Sequence, residues 1–233
     1  MRPLADLVVR DDSAWPLVEE LVRDAGIAIE IVPRDPARCE ATLIALQITT
    51  RSTLGAIAYH AGAIRFDHGW VRLLGGGAAG IAGDLASWNG LGASPLRPMT
   101  PNLVIVSYDA LGGVFALNVG ALAAHNRNVW YLAPDTCAWE DLGRNYSDFV
   151  RFLCAGDLDG FYEGSRWRGW RDEVGAATFD QAIHVSPPLW TREGKNIAAA
   201  SRKAVPATEL FALHLETASQ LAGLEDRVTI KLT

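Results

Sequence analysis

The chain has 233 residues, of which 49% are apolar and 21% are charged, and its formal net charge at pH 7 is −6. This composition excludes a disordered chain and disfavours a nucleic-acid partner, which usually contacts a basic surface. The negative charge is compatible with a basic protein partner, although solubility alone also explains it.

The N-terminal part predicts two helices separated by a short strand. Residues 13–25 place their apolar side chains on one helical face. Residues 27–32, IAIEIV, alternate with period two as a strand does. Asp35 is a suitable cap for a second helix over roughly 37–46. Pro36 supports this prediction, since proline is favoured at the first helical position.

The next two segments are predicted to be strands and then a loop. Residues 54–75 favour two or three strands joined by tight turns at 61–62 and 68–69. The many glycines and prolines of residues 75–101 predict a mobile surface loop with at most one helical turn, around 84–88. A G-x-G-x-x-G pattern lies in this loop, but no helix or suitably spaced acid follows it, so we expect no dinucleotide cofactor.

Three apolar runs in the middle of the chain predict consecutive strands at 103–108, 113–118 and 128–133. A fourth strand is expected at 137–143. Residues 145–156 then predict a helix, for which Ser147 is a suitable cap.

The turn between the first two of these strands contains Asp109, Gly112 and Gly113. An aspartate at this place can accept hydrogen bonds from the following backbone amides, and glycine tolerates a positive φ. We therefore interpret the three residues as a structural hairpin turn and assign them no catalytic role.

The C-terminal third is predicted to be mostly helical. Trp167, Trp170 and Val174 fall on one helical face, which favours a core position for both tryptophans. Pro206 is expected to open the last helix. No linker composition divides the chain, so we predict a single domain over residues 1–225 and a tail over 226–233.

The chemistry-bearing residues do not form a recognised catalytic or metal-binding motif. The three cysteines, Cys39, Cys137 and Cys154, are too widely spaced for a zinc site and are expected to be reduced. No run reaches the roughly 20 apolar residues of a membrane helix, and the N-terminus has no apolar segment of signal-peptide length. We therefore expect a cytoplasmic protein that has no catalytic residue, metal or cofactor and does not bind a membrane.

An enzymatic alternative stays open. His60, Asp67 and His68 lie on or between neighbouring predicted strands, and Asp109 lies at a sheet turn. If these side chains converged at the sheet edge, they could serve a small hydrolase or transferase.

An acidic and aromatic stretch downstream of the predicted strands is a candidate protein-binding surface. Aromatic residues supply much of the binding energy of interfaces, and carboxylates attract a basic partner. The candidate residues are Trp139, Glu140, Asp141, Asp157, Asp159, Phe161 and Tyr162.

Two stretches of the chain resemble the central signature of the SUKH superfamily. They are LVIVSYDALGGVFALN, at 103–118, and NVWYLAPDTCAWEDLGRNYSDFVRFL, at 128–153, with Trp88 and Asn89 at the preceding helix end. Nearly the whole chain resembles one bacterial family, the domain of unknown function 2625. The resemblance implies an α+β fold with a mostly antiparallel, twisted sheet flanked by helices. The SUKH-like core covers about 88–153, and the chain departs from the superfamily pattern through an additional helical part at the C-terminus.

Many SUKH proteins neutralise toxins by binding them, and others are regulators. The resemblance therefore implies a non-enzymatic, cytoplasmic protein-binding domain, with immunity or regulation as its role and a basic toxin as a candidate partner. It supplies no catalytic residues. A third hypothesis is a homo-oligomeric scaffold that uses the tryptophan-rich C-terminal part.

Overall fold

The computed structural model describes residues 1–122 and 126–229, in which helices accompany a seven-stranded sheet. The strands of this sheet are β1 (Ile29–Val32), β2 (Ala63–Phe66), β3 (Val71–Leu74), β4 (Leu103–Asp109), β5 (Val114–Asn118), β6 (Val129–Leu132) and β7 (Trp139–Arg144). A separate hairpin consists of β8 (Gln181–Ser186) and β9 (Ser201–Pro206). The helices are α1 (Leu4–Leu7), α2 (Trp15–Arg23), α3 (Pro36–Leu46), α4 (Thr53–His60), α5 (Tyr146–Ala155), α6 (Leu158–Phe161), α7 (Trp170–Ala176) and α8 (Ala207–Thr229), with a 3₁₀ turn at Ser87–Asn89.

Each strand of the large sheet pairs with the strand that follows it in the chain, and every pairing is antiparallel. Successive residues of a strand point to opposite faces, and both faces of the central strands are buried. On one face Phe115 packs against Phe149 of α5, with 4.9 Å between ring centroids. On the other face Tyr108 stacks on Trp88. The predicted α+β class, with a mostly antiparallel sheet and flanking helices, is confirmed.

The caps of two helices show how local sequence sets their start. Asp35 caps α3 as predicted, because its side chain accepts hydrogen bonds from the amides of Ala37 and Arg38. Helix α5 also forms where it was predicted. Its cap is Asn145, however, and Ser147 instead shares a hydrogen bond with Thr53 of α4 at 2.8 Å.

The strand predicted before residue 61 is wrong, because this segment forms helix α4. Ser52 caps the helix by accepting a hydrogen bond from the Gly55 amide at 3.0 Å. Residues 55–58 make one full turn and are all buried, so the helix lacks the wide polar face that reveals helical periodicity in a sequence. The predicted turn at 68–69 is correct and joins β2 to β3. Its residues Asp67 and His68 have left-handed φ values of 47° and 57°.

The prediction that residues 75–101 form a mobile surface loop is wrong for the first part of the segment. Residues 75–78 are buried. The Arg38 guanidinium of α3 donates hydrogen bonds to three backbone carbonyls of the segment and forms an ion pair with Asp84 at 2.9 Å. The single helical turn expected near its middle is present at Ser87–Asn89.

The C-terminal third is less helical than predicted, because β8 and β9 form a hairpin there. A long connection separates these strands, so no hairpin turn marks them in the sequence. The Ile183 amide of β8 donates to the Ala110 carbonyl at 2.6 Å, which attaches the hairpin to the β4–β5 turn. The buried Arg72 guanidinium of β3 donates to the Gln181 carbonyl as well.

The predicted core position of two C-terminal tryptophans is confirmed. Trp167 and Trp170 are 4% and 8% exposed, and both pack on Trp70. Trp167 precedes helix α7, which begins at Trp170. Because these side chains are interior, they do not support the hypothesis of a tryptophan-rich oligomer interface.

The last helix overlaps the predicted C-terminal tail. Helix α8 runs to Thr229, so the predicted tail at 226–233 lies partly in this helix and partly outside the described residues. Over the described ranges, no helix is both long enough and apolar enough to cross a membrane.

Candidate functional site

The β4–β5 turn is organised by the Asp109 carboxylate. Its Oδ1 atom accepts hydrogen bonds from the backbone amides of Leu111 and Gly113, both at 2.9 Å. Gly112 has a φ of 78°, which a residue without a Cβ adopts at no steric cost. The carbonyl of Gly112 lies 3.1 Å from Nδ1 of the buried His214 in α8.

The second oxygen of Asp109 binds two tyrosines. Oδ2 accepts a hydrogen bond from the Tyr131 hydroxyl at 2.7 Å and from the Tyr162 hydroxyl at 3.2 Å. Asp109 is fully buried, and this burial raises the pKa of its carboxyl to about 6, although the four hydrogen bonds act in the opposite direction. Burial, and then the negative charge of Asp109, raise the pKa of both tyrosines well above the usual value.

A cavity of about 380 Å³ lies beside these two tyrosines. Its aromatic wall consists of Tyr131, Phe161 and Tyr162, and its charged residues include three exposed carboxylates and one lysine. We call this cavity the acidic–aromatic pocket, and its polar and aromatic members are Tyr131, Asp135, Glu140, Phe161, Tyr162, Glu163 and Lys195.

The carboxylates of this pocket are largely free of internal partners. Within the described part of the chain, Asp135 and Glu163 form no ion pair, and neither does Lys195. The Glu140 carboxylate accepts one long hydrogen bond, 3.4 Å, from the Thr136 hydroxyl. The pocket therefore has three negative groups and one positive group, and the negative groups are available to a ligand.

Of the residues predicted to bind a protein, Glu140, Phe161 and Tyr162 line this pocket. Tyr162 is only 4% exposed, so it supports the wall from the interior and does not supply an exposed contact. Trp139 and Asp141 lie next to Glu140 on β7, the last strand of the sheet.

The other two predicted residues lie outside the pocket and have structural partners. The Asp157 carboxylate caps α6 by accepting a hydrogen bond from the Gly160 amide at 2.7 Å. Asp159 forms an ion pair with Arg166. Their charges therefore stabilise α6 and the segment after it.

The residues of the enzymatic hypothesis do not form one cluster. His60 stacks on Trp15 of α2, with 5.1 Å between ring centroids. Asp67 forms an ion pair with Arg166 at 2.5 Å, and Arg166 lies over the Tyr162 ring at 5.5 Å. Asp67 is thus linked to the Asp109 cluster through Arg166, whereas His60 contacts a different element. Across the ranges that the structure describes, no group of three or more His, Cys, Asp or Glu side chains could hold a metal ion.

The sequence did not identify Tyr131, Asp135, Glu163 and Lys195 as members of the site. Tyr131 and Tyr162 are 22 and 53 residues from Asp109 along the chain, and no local pattern indicates which side chain a distant carboxylate will meet. The period-two pattern of β6 could show only that Tyr131 faces one side of a sheet.

The chain is similar to proteins that share its length. Residues 4–210 match the family model described as "Protein of unknown function DUF2625". The putative uncharacterized protein YbfG of Escherichia coli strain K12 is 35% identical over 218 residues, which cover 93% of this chain and 97% of that protein. An uncharacterized protein of Haemophilus influenzae is 30% identical over 189 residues, which cover 81% of this chain and 83% of the relative. No solved structure matches the chain.

Proposed function

Because this chain belongs to the DUF2625 family of proteins of unknown function, we propose a function from its own pocket: it is a protein-binding domain that receives a basic side chain of its partner. The observation that supports this most directly is the acidic–aromatic pocket, in which carboxylates that form no ion pair within residues 1–122 and 126–229 stand beside aromatic rings. The function proposed is binding, without catalysis.

The chemistry of the pocket suits a lysine or arginine side chain. An ammonium or guanidinium group is attracted by the face of an aromatic ring, and a carboxylate nearby strengthens the contact. Phe161 is half-buried and supplies such a ring, while Asp135 and Glu163 supply exposed carboxylates. A cationic side chain would therefore find both kinds of partner in one cavity.

The position of the pocket favours a macromolecular partner over a free small molecule. Glu140 belongs to β7, which ends the sheet and has β6 as its one strand neighbour. An edge strand has backbone groups that can contact another chain. Glu140 lies both on this edge strand and in the cavity, so a partner could contact both features at once.

We further propose that the partner is a basic protein of the cytoplasm. The net charge of −6 and the negative pocket suit a basic protein. An immunity role against a basic toxin in the cytoplasm, or a regulatory role there, follows from the resemblance of residues 88–153 to the SUKH signature.

The test compares the binding kinetics of two variants that have the same change in charge. Asp135→Asn/Glu163→Gln neutralises the pocket, and Asp11→Asn/Glu20→Gln neutralises two exposed carboxylates of the N-terminal region. Partner proteins are isolated with the parent chain, identified by mass spectrometry, and measured by surface plasmon resonance at low and high salt. Asp157 and Asp159 are left unchanged, because their substitution would disturb α6.

We expect the partner to be basic and the pocket variant to associate at least about threefold more slowly at low salt, with the difference shrinking as salt screens the charges. The N-terminal control should retain the rate of the parent within error. Equal rates for the two variants, or an acidic partner that binds both equally, would contradict the proposal.

One observation favours a second candidate function, an enzyme that uses Asp109. The Asp109 carboxyl, with a pKa of about 6, is hydrogen-bonded to two tyrosines that line the cavity, and a proton could pass between the carboxyl and a substrate through a tyrosine hydroxyl, as general acid–base catalysis at neutral pH requires. This candidate predicts turnover of a small substrate that Asp109→Asn abolishes, whereas the binding proposal predicts that partner binding survives this substitution.

A further inference from the structure

A second cavity, of about 350 Å³, lies between β1, the β2–β3 turn and helix α7. It has no lining residue in common with the acidic–aromatic pocket. We call it the arginine pocket, and its lining residues with ionisable side chains are Glu30, Arg65, His68 and Arg171. It therefore has two guanidinium groups and an imidazole against a single carboxylate.

The two arginines have donors left for a ligand. Arg65 forms an ion pair with Glu30 through Nη1 at 3.2 Å, but its Nε is buried and has no hydrogen-bond partner in the part of the chain that the structure describes. Arg171 is exposed and lies over the Trp170 ring at 4.8 Å. Among the described residues, Arg171 forms no ion pair.

A third arginine adds positive charge behind the pocket. Arg72 of β3 stands directly opposite Arg65 of β2, so both side chains lie on the same face of the sheet. Arg72 is 1% exposed and is bound by backbone carbonyls, and in the described ranges no carboxylate pairs with it. Like charges opposite each other disfavour the sheet unless something compensates for them. Glu30, which stands opposite Arg65 on β1, offsets one of the two charges, and a bound anion would offset the other.

We propose that the arginine pocket binds the oxyanion group of a small molecule, a phosphate or a carboxylate, through Arg65, Arg171 and His68. Guanidinium groups match the geometry of both oxyanions and can donate two parallel hydrogen bonds to each. The volume of the cavity is in the range of small-molecule sites. The proposal is independent of the acidic–aromatic pocket, which attracts groups of the opposite charge.

The experiment is calorimetric titration of the full chain with inorganic phosphate and, separately, with succinate, at constant ionic strength and pH 7. The variants are Arg171→Gln and Arg65→Gln, and the matched control is Arg168→Gln, which removes an exposed arginine outside the cavity. Thermal melting of each variant checks that it is folded. Arg171→Gln is the more informative variant, because Arg171, unlike Arg65, forms no ion pair with any of the described residues.

We expect saturable binding of at least one probe to the parent. Since each guanidinium contributes a charge-assisted hydrogen bond, Arg171→Gln and Arg65→Gln should weaken binding about tenfold to a hundredfold, and Arg168→Gln less than about twofold. The probe that binds more tightly identifies the oxyanion as phosphate or carboxylate. The proposal is overturned if neither probe binds the parent at concentrations up to about 10 mM, or if Arg168→Gln weakens binding as much as Arg171→Gln does.

Discussion

Asp109 combines two tasks that are usually separate in a hairpin turn. One carboxylate oxygen accepts hydrogen bonds from turn amides, as its place before two glycines predicted, and the other binds Tyr131 and Tyr162. The first task follows from local sequence alone, because the amides are two and four residues away. The second depends on tertiary contacts, so it could be learned only from the structure.

The pKa of Asp109 predicts a pH dependence that Asp109→Asn should remove. Burial raises the pKa from its usual value near 4 to about 6, so stability from this group is fully present below about pH 4 and is lost as pH rises through 6. Asparagine keeps an oxygen for the turn amides and takes no charge. We therefore expect the unfolding free energy of the variant, relative to the parent, to increase by roughly 1–3 kcal/mol between pH 4 and pH 7 in urea titrations.

His214 makes the same experiment more discriminating. Burial lowers the pKa of this histidine to about 4, so its contribution to stability is lost as pH falls below about 6.5. Stability from His214 therefore increases with pH, whereas stability from Asp109 decreases with pH. The parent should therefore show a shallow net slope between pH 4 and pH 6.5. Asp109→Asn should leave a steeper rise of stability with pH, and a difference between variant and parent that is constant over this range would refute the assignment.

At the scale of elements, local pattern predicted those that have a polar face or a clear cap. Helices α2, α3 and α5 belong to this class, whereas the strands of the large sheet, whose central members are buried on both faces, were predicted from short apolar runs bounded by turn residues. The pattern failed for α4, in which a full turn is buried, and for β8 and β9, which a long connection separates. The buried start of the glycine-rich segment was missed because Arg38, which holds it, lies on α3, 40 or more residues earlier.

Helix α4 provides a prediction in which packing overrides propensity. A methyl group at Gly55 would lie 2.1 Å from the Thr49 carbonyl oxygen, a backbone atom that cannot easily move. Gly55→Ala should therefore lower the unfolding free energy by about 2–4 kcal/mol, although alanine is the better helix former by about 1 kcal/mol. Thermal and urea unfolding of the purified variant measure this change.

The control for this prediction is a helical glycine with open space around it. No atom lies within 4 Å of the Cβ position of Gly175 in α7. Gly175→Ala should be neutral or stabilise the protein by up to about 1 kcal/mol. If Gly55→Ala also left the unfolding free energy unchanged or raised it, helix propensity rather than packing would determine the stability of α4.

At the scale of the whole molecule, the two cavities described above differ in the sign of their charge. The acidic–aromatic pocket has three carboxylates and one lysine, whereas the arginine pocket has two guanidinium groups and one carboxylate. The sequence predicted the acidic surface in part, through Glu140. It did not predict the arginine pocket, because Arg65 and Arg171 come from distant parts of the chain.

The cysteines give a prediction about the whole fold. Cys39, Cys137 and Cys154 are free and buried, and burial raises the pKa of each thiol to about 11. At pH 8 only about one thiol in a thousand would be ionised, so a thiol-specific reagent should react with none of them in the native protein. After unfolding without a reductant, all three should react. A single reactive thiol would show that two cysteines form a disulfide.

The order of strands in the sheet has a consequence for a chain that emerges from the ribosome N-terminus first. Strands β1 to β7 emerge in the order in which they pair, so each can join its neighbour as it appears. Arg72, however, is made 109 residues before Gln181, whose carbonyl it binds. At about 5–20 residues per second, its guanidinium waits roughly 5–20 s for that acceptor. During this interval the sheet face that contains Tyr108 and Arg72 has no C-terminal cover, and it is the surface of the nascent chain that a chaperone would bind.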